Sequence, residues 1–182
     1  EFRRVLFRSA LQQAVKWLLL ARNPADAVEP PRPVRKEVLA IDEATIEQLM
    51  NSLKGHRLYT PVLMALTTGM RRGEILGLRW RSIDLDTGIL VVRESLSQTK
   101  DGLNFKAPKS GKSRTVALPS LAGTALQMHK VEQARKRLSL GPGYNNHDLV
   151  FAKADGEPWE PNSFTNAFTA FVLGKKLPHM SF

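Results

Sequence analysis

The stretch Ala65–Trp80, ALTTGMRRGEILGLRW, decides how this chain is read. Leu66, Ile75, Leu76 and Leu78 take core positions, and Gly69-Met70 marks a turn between helical segments. Two adjacent arginines, Arg71 and Arg72, then open the next helix. A helix N-terminus already carries partial positive charge and ordinarily favours Asp or Glu. Arginines placed there are either solvated or part of a site built to hold an anion such as phosphate, with amides and guanidinium acting together.

Bulk composition narrows the choice. The chain has 182 residues, which permits one ordinary domain plus a piece of another, and 42% of them are hydrophobic, enough for a real core. It contains no cysteine, which excludes disulfides and thiolate metal sites and fits a reducing, cytoplasmic compartment. The four histidines, His56, His129, His147 and His179, lack ligand spacing, so neither a metal nor another cofactor is expected. A formal net charge of +10 points to a polyanionic partner, most simply nucleic acid, against the plainer reading of a basic but non-binding surface. Val15–Ala21 is far shorter than the roughly 20 residues of a membrane span, so no membrane partner is expected.

Residues 1–9, EFRRVLFRS, read as the translation of a sequencing adapter and are set apart from fold reasoning. Ala10–Ala21 has helical spacing at Ala14, Trp17, Leu18 and Ala21. The proline-rich run that follows reads as a linker over 23–37, or alternatively as an arm packed on a single domain. Beyond it the pattern predicts a helix capped by Asp42 or Thr45 and closed by Gly55, a second over Pro61–Thr67, and a third from Arg72 to about Leu78. A β-branched run follows at Ile89–Arg93, and LNFKAPKSGKSRTVALP reads as a hairpin turning at Ser110-Gly111-Lys112. Helices over Ser120–Leu138 and Pro161–Val172 complete an α+β chain, mostly helical with a small antiparallel sheet.

Basic residues crowd the predicted hairpin: Lys106, Lys109, Lys112 and Arg114. This is either a solvated hairpin or a basic finger laid on a nucleic-acid backbone. Beside Arg71 it acquires chemical meaning. An arginine can grip two non-bridging phosphate oxygens, and a nearby lysine can protonate a leaving oxygen. Asp84 and Asp86, the nearest acidic pair, fit a turn better than a magnesium site.

TTGMRRGEILGLRWRSIDLDTGILVV, APKSGKSRTVALP and DLVFAKADGEPWEPNSF, in that order, resemble the catalytic domain of tyrosine recombinases of the phage-integrase type. The resemblance covers residues 38–182 and implies that fold, with 10–22 as the end of the family's N-terminal core-binding domain. It implies site-specific DNA recombination through a 3′-phosphotyrosyl intermediate, with double-stranded DNA as partner, a homotetramer on DNA for the full-length parent, and a bacterial or phage origin. Arg71 falls on the first catalytic arginine, and Glu74 on an acidic position that orders the site. Lys109 best matches the general-acid lysine, with Lys106 or Lys112 as alternatives. Arg72, Arg79, Lys106, Lys112 and Arg114 are expected at the DNA backbone. The family's His-x-x-Arg box and tyrosine nucleophile have no counterpart here; Tyr59 and Tyr144 lie upstream of where those boxes belong. The expectation is therefore a fragment truncated before the box, inactive in cleavage and able to bind DNA. The alternative is a non-catalytic DNA-binding remnant or regulator. Truncation also predicts exposed apolar surface near Phe164, Phe168, Phe171 and Val172.

Overall fold

The computed structural model describes residues 2–28, 41–107, 113–178, 180 and 182. The chain divides into two compact units, Glu1–Ala40 and Ile41–Phe182. In the first, helix α1 runs Phe2–Lys16, so it begins within the nine residues set apart and stops short of Ala21. A 3₁₀ turn follows at Pro24–Ala27, where the Asn23 side chain accepts a hydrogen bond from the Ala25 amide at 3.0 Å. Arg8 pairs with Asp26 at 2.7 Å. The rest of the expected linker, from residue 29, lies outside the described residues.

The second unit opens with α2, Glu43–Leu53. Of the two candidate caps, Asp42 is the one used, accepting the Thr45 amide at 3.0 Å. Helix α3, Tyr59–Thr68, buries five consecutive residues from Thr60 to Met64 and ends at Gly69 in the left-handed region, φ +63°. Leu66 is not a core residue: it faces outward and is 44% exposed, because the buried side of α3 is carried by Val62, Leu63 and Met64. Helix α4 is a single short turn, Arg72–Leu76.

Among the described residues five strands follow: β1 Ile83–Asp84, β2 Ile89–Val92, β3 Ser95–Thr99, β4 Gly102–Lys106 and β5 Arg114–Ala117. They form two antiparallel sheets, β1-β2-β5 and β3-β4. This corrects the expected hairpin. The segments on either side of Ser110-Gly111-Lys112 do not pair; β4 binds β3 through Leu96↔Phe105, and β5 binds β2 through Leu90↔Val116. The cause is a tighter local turn. Lys100 and Asp101 alone separate Thr99 from Gly102, and Gly102 supplies φ +118°. β3, with the sequence SLSQT, shows too little apolar alternation to reveal itself as the partner.

Helices α5, Ser120–Leu140, and α6, Pro161–Gly174, close the unit. Its core joins Leu53, Leu58, Met64, Ile75, Leu90, Leu126, Val150 and Phe164, each at most 1% exposed, into one cluster. The apolar exposure expected on α6 is found only in part: Leu173, beside Val172, is 65% exposed. Phe164, Phe168 and Val172 are at most 3% exposed. Phe182 packs edge-on against Phe164 at 4.7 Å and Phe168 at 5.4 Å, while Leu177 and Met180 are buried beside them. Half-buried Phe171 rests on the His56 ring at 4.8 Å. Among the described residues no helix is long and apolar enough to cross a membrane.

Candidate phosphate-binding site

The site begins with two glycines. A Cβ on Gly73 would stand 2.5 Å from Ser95 Oγ and 2.6 Å from the Leu96 carbonyl oxygen, and one on Gly77 would stand 3.0 Å from the Leu96 amide nitrogen. Gly-x-x-x-Gly thus lets α4 lie directly on the backbone of β3. This close seating buries Ile75 and Leu76, and carries Glu74 inside with them, only 3% exposed.

A buried carboxylate must be paired. Glu74 receives four donors on two oxygens. Arg114, from β5, forks across both, Nη1 to Oε1 at 2.6 Å and Nη2 to Oε2 at 2.7 Å. The Arg71 amide donates to Oε2 at 2.8 Å, and its guanidinium reaches Oε1 only loosely, at 3.4 Å. Hydrogen bonding from Arg114 holds the Glu74 carboxyl down to about 2, against the opposing effect of burial, with the Arg71 amide assisting. The same contact raises Arg114. The acid expected at a helix start is therefore present: it is Glu74, three residues in, tying back the residue that precedes α4.

Two guanidinium groups and one carboxylate leave a net charge of +1, and geometry places it on Arg71, whose side chain is 80% exposed. Arg71 itself holds extended backbone, φ −70° and ψ 152°, just ahead of the helix. Its neighbour diverges: Arg72 Nη1 donates to Thr165 Oγ1 of α6 at 2.5 Å. The adjacent arginines thus diverge: Arg71 is exposed and only loosely tied to Glu74, and Arg72 braces α4 against α6.

Arg79 and Arg114, expected at the DNA backbone, have their guanidinium groups engaged within the protein. Arg79 pairs with Glu94, donates to the His147 carbonyl at 2.6 Å and lies over the Phe105 ring at 4.8 Å. Only 18% of its side chain is exposed. Both guanidinium groups are thus held by acceptors of the protein, while the Arg114 side chain stays 39% exposed. Lys106 is exposed at the end of β4. Lys109 and Lys112 lie outside the described residues. Asp84 accepts the Asp86 and Thr87 amides, at 3.0 and 3.1 Å, as a turn residue does.

The chain matches the model of the phage integrase family over residues 40–182. It is 30% identical to a XerC-like tyrosine recombinase of Caldanaerobacter subterraneus subsp. tengcongensis, over 90% of this chain and 46% of that protein. It is 29% identical to an integrase of Streptomyces ambofaciens, over 91% and 42% respectively. The chain spans about half the length of the curated relatives it matches. Among solved structures, the Tn1549 transposon integrase in complex with transposon right end DNA superposes with a TM-score of 0.81 at 17% identity, over 96% of this chain and 58% of that one. XerA recombinase does so with a TM-score of 0.61 at 21% identity, over 95% and 55%. The chain belongs to the phage integrase family.

Proposed function

We propose that this chain carries the phosphate-gripping half of a site-specific DNA recombination centre. The observation that carries the reading is Arg71: an exposed guanidinium next to a buried carboxylate that a second arginine already neutralises. Such a group is free to bind two non-bridging oxygens of a DNA phosphate and to offset charge as the phosphorus passes through five-coordination. The names of the relatives, tyrosine recombinases and integrases, supply the reaction class.

In this reading, a tyrosine nucleophile attacks the phosphorus, and the bond to the 5′ oxygen breaks. Lys109 gives its proton to that oxygen, and a 3′-phosphotyrosyl link remains. The reverse steps join a new 5′ hydroxyl, and the covalent link conserves the bond energy, so neither ATP nor a metal is required. Lys106, Lys112 and Arg72 contribute backbone contacts on double-stranded DNA, while Arg114 holds Glu74 in place. A homotetramer on DNA is the assembly that exchange between two duplexes requires.

The test is affinity for a fluorescein-labelled 30-base-pair duplex across a salt series. The wild-type chain is expected to bind with an affinity that falls steeply with salt, and Arg71→Ala to weaken binding about three- to tenfold and lower the salt slope by about one. Equal affinity and equal slope for the two proteins would overturn the assignment.

A further inference from the structure

We propose that Arg114 is a positioning residue whose task is to occupy Glu74, so that the Arg71 guanidinium stays available to a phosphate. The inference rests on the assignment of Arg71 above and concerns what keeps that group free.

Two guanidinium groups compete for one carboxylate. Local geometry favours Arg71, which lies three residues before Glu74 in the chain and shares its helix start. Yet both short contacts belong to Arg114, forty residues away, and Arg71 is left at 3.4 Å. The fold decides the contest. Arg114 sits at the first position of β5, opposite Val92 of β2, and so reaches Glu74 from a rigid strand. Its two Nη groups cover both carboxylate oxygens at once, as a planar guanidinium does best.

Removing Arg114 would leave a buried carboxylate without its principal partner. Among the described residues, Arg72 is turned toward Thr165 and Arg79 toward Glu94, so the cation in reach is Arg71. A shift of well under 1 Å would bring its guanidinium into full hydrogen-bonding distance of Oε1. The site would then hold one guanidinium against one carboxylate, and its net charge would fall from +1 to zero. Arg114 therefore sustains the phosphate site without touching phosphate. A bridge that merely stiffened the fold would behave differently: its loss would weaken every contact alike and could not be repaired by discharging Glu74.

The experiment measures how much Arg71 contributes to binding of the labelled duplex in four backgrounds: wild type, Arg114→Ala, Glu74→Gln, and Glu74→Gln with Arg114→Met. In each, the dissociation constant is compared with and without Arg71→Ala, and a thermal melt confirms folding. The wild-type ratio is expected at about three- to tenfold, collapsing to about one in Arg114→Ala. It should return to at least threefold in the double variant, whose neutral pair leaves Arg71 no competitor. If Arg114→Ala does not fold, Arg114→Lys replaces it; a single ammonium covers the carboxylate poorly, and the ratio should fall between those of wild type and the collapsed state. An unchanged ratio without the Arg114 guanidinium, or failure of the double variant to restore it, overturns the positioning role. A ratio of one already in wild type overturns the phosphate assignment of Arg71 instead, and the inference with it.

Discussion

At the scale of single residues, Glu74 dominates the energetics of the site. Its folded-state value of about 2 lies below the ordinary 4.5, so the carboxylate favours the folded protein wherever it is ionised. That contribution, about 3 kcal/mol, is complete above pH 4.5 and drains away as pH falls from 4.5 toward 2. Glu74→Gln should therefore be less stable than wild type by roughly this amount at pH 7, with the gap narrowing steadily in urea melts taken down to pH 2.5. A gap independent of pH would contradict the ion pair. Arg71 and Glu74 were both legible in the sequence, from a paired arginine in the wrong place for a helix and from family resemblance. What the sequence withheld was burial. Whether Glu74 is a solvated helix carboxylate or an interior one depends on β5 reaching across forty residues, and no local pattern encodes that reach.

At the scale of elements, the seat of α4 on β3 has no spare room. Gly73→Ala would drive its Cβ into Ser95 and the Leu96 carbonyl, and about 2–3 kcal/mol of stability should be lost. Gly123→Ala is its counterpart on α5. There the nearest atom to the new Cβ is Leu118 Cδ2 at 3.8 Å, so helix propensity prevails and stability should rise by about 0.5–1 kcal/mol. Chemical denaturation of the two variants should show opposite signs. Helices α2 and α6 were readable because each buries apolar residues at helical spacing, Leu49 and Leu53 in one and Phe164, Phe168 and Val172 in the other, and Asp42 and Gly69 mark an N-cap and a C-terminal stop. The sheets were not. Leu90 and Val92 announce β2, but β3 is a Ser- and Gln-containing strand whose pairing is set by the Lys100-Asp101 turn and by contact with α4. A strand specified by its neighbours leaves little trace in its own sequence.

At the scale of the whole molecule, two properties stand out: a single core cluster in the second unit and a surplus of positive charge. Phe182 adds its ring to the core, where it meets Phe164 and Phe168. Phe182→Ala should cost about 1–2 kcal/mol and raise binding of a hydrophobic dye above the wild-type level. The charge of +10 was visible from composition alone, but not which cation is free to use it. That distinction is the central claim, and nitrogen NMR of the arginine side chains during titration with a 12-base-pair duplex tests it most directly. Arg114, already clamped on Glu74, should show guanidinium signals that are slow to rotate and unmoved by DNA; those of Arg71 should sharpen and shift as phosphate takes hold. If Arg114 responds and Arg71 does not, the account of this site is wrong.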